Sequence, residues 1–176
     1  MDFINSQVDV KALPASEEVN LQPIQPDYKK ILLIEWVITS FFLALVAGVL
    51  IYFISSLRQS YGWMLLSASV LLLIFLHFFS IQQSFPFLAF AVRDKDVMCR
   101  KGWITRSVKV CPFNRIQNCS VQTGPLERKY GLASLIIYTA GAESADMKIP
   151  GLLQEEAERL RHFIMEKIHG EPDETV

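Results

Sequence analysis

The sequence predicts a membrane-spanning α-helical hairpin followed by an α+β domain, an antiparallel β-barrel or sandwich closed by a C-terminal amphipathic helix. Three observations predict it. Two long apolar runs, Ile31 to Ile54 and Trp63 to Ile81, are joined by one short loop. Beyond them the apolar period shortens to that of strands. The chain then regains a helical stripe near its end. The composition agrees: 51% of residues are apolar and the mean hydropathy is +0.28, yet 20% are charged. That mixture fits a small anchor carrying a polar domain.

The runs come first. At roughly 1.5 Å per residue they reach about 36 and 28 Å, against a bilayer core of about 30 Å. Glu35 is the single charge of the first, and His77 the single titratable group of the second. The first run starts behind a polar leader, is too long for the apolar part of a signal peptide, and is followed directly by a second span. The leader, Met1 to Lys30, holds Pro14, Pro23 and Pro26 and is expected to be extended, with Leu21 to Tyr28 along the interface. Lys29 and Lys30 precede the first span, and Arg93, Lys95, Arg100 and Lys101 follow the second. The loop Ser55 to Gly62 has only Arg58. The positive-inside rule therefore puts both termini in the cytoplasm, with Tyr52, Tyr61 and Trp63 in an outer aromatic belt. Ser40, Ala44 and Gly48 form a small-residue face for close packing against Ser67 and Ala68 of the second span. Glu35 and His77 share a depth, which invites a hydrogen bond between them if rotation allows.

Pro86 forbids simple continuation of the second span. Strands are expected at Phe87 to Val92, Val97 to Lys101, Ser107 to Cys111, Ile116 to Gln122, Ala133 to Thr139 and, shorter, Asp146 to Ile149. Gly124-Pro125 stops the fourth. Pro150-Gly151 marks the start of a helix over Leu152 to His169, whose stripe is Leu153, Ala157, Leu160, Phe163, Ile164 and Ile168. Gly170 and Pro172 end it. The chain thus divides into a leader (1–30), a hairpin (31–84), a strand-rich domain (85–170) and an acidic tail (171–176). Strands followed by one amphipathic helix is the order of a pleckstrin-homology-like (PH-like) fold.

The stretch Arg115 to Gly141 resembles the YdbS-like family of bacterial membrane-flanked proteins with PH-like domains. Its R-I-Q element stands at Arg115 to Gln117, G-P-L-x-R-x-x-G-L-A at Gly124 to Ala133, and T-A-G at Thr139 to Gly141. Ile149-Pro150-Gly151 is also similar. Cys119 departs from the pattern, standing where the family more usually has a branched apolar residue of similar volume. The resemblance implies a partner, a larger related membrane protein with repeated PH-like domains. It also implies a loose link to envelope stress or resistance to membrane-active compounds. It brings no catalytic residues.

Chemistry-bearing patterns are sparse. There is no nucleotide loop, nucleophile elbow or H-E-x-x-H. Cys99, Cys111 and Cys119 lack metal spacing and are expected as small core residues without a disulfide. His162 and His169 share a helical face and are expected in solvent. No metal or cofactor is expected, and no enzyme activity. Residues 91–150 carry ten Lys and Arg against five Asp and Glu, whereas residues 151–176 carry three against seven. A basic domain under a membrane suits anionic headgroups. Arg93, Lys95, Arg100, Lys101, Arg115, Arg128 and Lys129 are its candidate lipid- or partner-binding residues, with a scaffold role for Arg115 and Arg128 as the competing reading. Nucleic acid is not expected at a net charge of −1. The sequence therefore points to a non-enzymatic interaction module of the bacterial inner membrane. The alternative is a subunit of an oligomeric channel or transporter, a homo-oligomer with a cytoplasmic ring of these domains.

Overall fold

In the computed structural model, residues 20–54, 61–140 and 146–170 are described. The expectations for Met1 to Val19, Arg58, Gly141, the side chain of His169 and the acidic tail lie outside them. Helix α1 runs Tyr28–Phe53 and α2 runs Gly62–Ser84. Each begins or ends a few residues beyond the sequence expectation, because polar residues continue a helix once its apolar turns have formed. The two helices form an antiparallel pair. Trp36 Nε1 donates to the Ile74 carbonyl at 3.1 Å, and the Trp36 and Phe78 rings lie 5.2 Å apart. Most of their apolar side chains face outward and almost none is buried within the protein. Such helices are long and apolar enough to cross a membrane.

Pro86 ends α2 as a short 3₁₀ turn, Phe85–Phe87, with only Leu88 before the next strand. Strand β2 is Ala89–Val92, β3 is Asp96–Lys101 and β4 is Ser107–Pro112. The expected start at Phe87 is thus replaced by the turn that proline imposes. A second sheet holds β5 (Ile116–Gln122), β6 (Leu132–Thr139) and β7 (Met147–Leu153), all antiparallel. Between β5 and β6 a short helix, α3 (Pro125–Lys129), stands where the sequence suggested only a turn. Helix α4 (Gln154–Gly170) packs across β5, β6 and β7. Its core-facing side chains include Ala157 and Ile164, both fully buried. The two sheets share one hydrophobic core and do not close into a barrel among the described residues.

Pro150-Gly151 does not start the last helix. It forms an irregularity inside β7, because β7 places two residues there against Ser134 alone on β6. The end of the leader is built into the domain, a placement that no local sequence pattern marks. Gln22–Pro23 forms β1, paired antiparallel to β2, and Ile24 enters the domain core at 6% exposure. The hairpin is therefore inserted between the first two strands of the first sheet. The β7 irregularity makes this possible. It turns the Gly151 carbonyl outward, where it accepts the Gln25 N–H at 2.9 Å.

Candidate functional site

The described surface closest to the hairpin ends is built by three segments. The first is the strap formed by β1 and Ile24, whose passage to α1 lies against Gly151. The Gly151 φ is +67°, and a Cβ there would approach Tyr28 to 2.8 Å, so only glycine fits. The second is α3, which carries the G-P-L-x-R motif and touches α1. Glu127 holds it in place. Its carboxylate accepts the Gly124 N–H at 2.7 Å and the Ser134 hydroxyl, also at 2.7 Å. Gly124 has no side chain, so this is one half of a capping box. The third is the loop between β3 and β4. Gly102, at φ +87°, turns it, and Trp103 packs edge-on against Phe79 of α2 at 5.7 Å. Arg106 lies over the Phe87 ring at 5.0 Å.

The candidate basic residues separate into groups. Arg93 and Lys95 sit in the β2–β3 turn. Arg100 and Lys101 sit at the other end of β3, about 20 Å away at ~3.3 Å per residue. Arg93 is held by Asp96 through two hydrogen bonds, its Nε at 2.6 Å, and that partner pushes its pKa up. Arg100 is half-buried and its Nε meets no acceptor among the described residues, whereas Lys101 is exposed. Arg128 and Lys129 are exposed on α3, beside α1. Glu127 does not pair with Arg128, because its carboxylate is engaged by Gly124 and Ser134. Arg115 lines a cavity of about 450 Å³ between the β4 and β7 edges, with Lys109, Cys111, Thr139 and Asp146. There Lys109 Nζ donates to the Asp146 carbonyl at 2.8 Å, and the Thr139 hydroxyl donates to the Asp146 carboxylate. The seven residues therefore do not form one patch.

In the hairpin, Glu35 and His77 are both exposed, and no hydrogen bond joins them among the described residues. Glu35 instead borders a cavity of about 360 Å³ with Tyr28, Gly124, Leu126 and Lys148, at the foot of α3. The small-residue face is displaced. Ser40 is half-buried and Ala47 buried, but Ala44 and Gly48 are exposed, and a Cβ on Gly48 would meet nothing within 4 Å. The large Trp36 and Phe78 rings set the helix rotation, so the seam follows Trp36, Ser40 and Ala47 instead.

The three cysteines are core residues, as expected. Burial pushes every one of their thiols up. Arg161 partly offsets this at Cys119, and Lys101 and Lys109 do so at Cys99. At Cys111, Asp146 adds to the burial effect. A protonated thiol is a poor nucleophile, so the β4–β7 cavity has no activated group of that kind. His162 is exposed beside Arg161.

Sequence reasoning missed the strap, Trp103, Ile104 and Arg106. The available signal was the run Gly102-Trp-Ile-Thr-Arg106, an apolar pair in a turn between two short strands, where polar residues are usual.

The geometry agrees with comparisons to known proteins. A model of the bacterial PH domain family matches residues 30–168, which takes in both apolar helices, β2 to β7 and nearly all of α4. The chain is also similar to the UPF0699 transmembrane protein YdbS of Bacillus subtilis (strain 168), 33% identical over 75 residues. That match covers 43% of this chain and 45% of the relative, less than half of either. No solved structure matches. A transmembrane relative, two membrane-capable helices and two antiparallel sheets under a C-terminal helix agree with the family match: the chain is a YdbS-like membrane protein and belongs to the bacterial PH domain family.

Proposed function

We propose that this protein is a non-enzymatic interaction module of the bacterial inner membrane. Its PH-like domain binds lipid headgroups or a protein partner at the cytoplasmic surface. The observation that carries the reading is the way the domain is fixed to the hairpin. Strap, α3 and the β3–β4 loop each touch a helix end, so the domain has little freedom to leave the bilayer surface. A domain held there meets headgroups and the cytoplasmic parts of membrane proteins. The Lys and Arg flanks support the orientation, and the excess of basic residues over 91–150 supports the headgroup contact. The family resemblance supports a larger relative with repeated PH-like domains as partner, and a role in envelope stress.

The channel alternative has less support. Three hydroxyls of the spans donate within their own helices: Thr39 to the Glu35 carbonyl at 2.9 Å, Ser67 to the Met64 carbonyl at 3.0 Å, and Ser69 to the Leu66 carbonyl at 2.8 Å. Hydroxyls engaged in this way do not make the polar stripe a pore needs.

The test is co-purification of the full chain in mild detergent, alone and with a co-expressed larger relative, with native mass spectrometry of what stays bound. Retention of anionic lipid or of the relative is expected. Retention of neither would reject the module.

A further inference from the structure

The β3–β4 loop stands out against the rest of the domain. Ile104 is 79% exposed, beyond every other large apolar side chain among the described residues of the domain. Its exposure matches that of Phe53 at 77%, a residue of α1. A single exposed isoleucine means little by itself. Its place gives it meaning. The neighbour Trp103 packs on Phe79, which belongs to the apolar part of α2. About 20 residues span a core of about 30 Å, so counting from Trp63 the hydrocarbon ends near Gln82. Phe79 then stands about 4.5 Å on the bilayer side of that boundary. A loop packed at that level meets acyl chains, and its uncovered Ile104 side chain lies in them.

Trp103 is half-buried, its Nε1 covered and without an acceptor among the described residues, so its indole is the contact that holds the loop on α2. The polar groups fit the same level. Lys101 and Arg106, both exposed, flank the apolar pair on either side. Arg106 is steadied by the Phe87 ring directly after α2.

We infer that the loop Gly102–Arg106 is a third membrane anchor. Trp103 and Ile104 enter the acyl–headgroup boundary of the adjoining leaflet, and Lys101 and Arg106 bind the phosphates of its anionic lipids. The inference deepens the module reading and rests on it, since it names the lipid that one face of the domain meets. The geometry also explains why α2 runs into the domain through only a 3₁₀ turn and Leu88: a flexible joint would lift the loop out of the leaflet.

The test uses the full chain in nanodiscs, with Ile104→Cys or Asn114→Cys labelled at pH 7 with an environment-sensitive fluorophore. The buried native thiols do not compete. Asn114 is exposed in the turn after β4 and serves as the aqueous control. The label at 104 is expected to shift to the blue and to lose about half its emission to lipids spin-labelled near the headgroup, while the label at 114 is unaffected. Lys101→Gln and Arg106→Gln are each expected to lower retention of anionic lipid about fivefold, with neutral lipid unchanged. A label at 104 that behaves like that at 114 would overturn the insertion. Insertion with unchanged lipid retention in both charge variants would overturn the phosphate contacts. A label that becomes shielded only when a larger relative is co-reconstituted would replace lipid by protein. If 104 is aqueous while the intact chain still holds lipid or partner, the loop proposal falls and the module stands. If 104 is inserted and nothing is held, the module falls instead.

Discussion

At Gly151 the backbone sits at φ +67°, and a Cβ would come within 2.8 Å of Tyr28. Gly131 has nearly the same φ, +66°, but open space around it. The pair separates backbone strain from steric conflict. Gly131→Ala should cost about 1 kcal/mol, and Gly151→Ala about 3 kcal/mol, since overpacking adds to strain. Chemical denaturation in detergent measures both, and equal losses would show that the strap gives way freely. Glu35→Gln and His77→Gln should have additive effects on thermal stability, because nothing in the structure joins them. The cysteines give a pH dependence. Burial raises all three thiols above the ordinary 9.0. Folding keeps them protonated where the unfolded chain has begun to lose protons. Their contribution to stability is therefore complete below pH 9.0 and is lost as pH rises through the folded pKa of each. Unfolding midpoints at pH 8 and pH 10 should differ less in a variant with all three changed to Ala.

Strand elements were legible where the local pattern decided them. β5 was read residue for residue, since Ile116 to Gln122 has turn residues on both sides and one buried face. β3, β4 and β6 were read to within a residue. Elements fixed by distant partners were not legible. Nothing local marks Gln22–Pro23 as a strand; pairing with β2, across the whole hairpin, makes it one. Pro150-Gly151 reads as a helix start from its own chemistry, and only the neighbouring β6 shows it to be a strand irregularity. α3 was read as a turn because five residues are too few for a helical period, and Glu127 stabilises it through Ser134 on another strand. The family motif was visible, but its work was not: it fastens α3 to α1 and shapes β7 to receive the strap. The sequence singles out seven basic residues but not Arg106, and the separation of Arg93 and Lys95 from Arg100 and Lys101 depends on strand order. The strap carries a prediction at this scale. Ile24→Ala should destabilise the domain by about 2–4 kcal/mol, as for a core isoleucine. A fragment beginning at Phe85 should unfold more easily than one with residues 20–28 supplied as a peptide, read by circular dichroism melting. Equal melting would show that β1 is not part of the domain.

The whole molecule is a membrane hairpin whose two ends enter one folded domain, through the strap before α1 and directly from α2. The spans carry few charges, and the basic residues gather on the side where the domain lies. Cytoplasmic placement of that domain is the central claim, since the headgroup contacts, the partner and the leaflet met by the β3–β4 loop all follow from it. The direct measurement is a pair of topology reporters, one active only in the cytoplasm and one only in the periplasm. Each is fused after Val176 and, separately, within the loop at Gln59. Cytoplasmic activity is expected after Val176 and periplasmic activity at Gln59. The reverse pattern, or the same compartment at both positions, would contradict that placement.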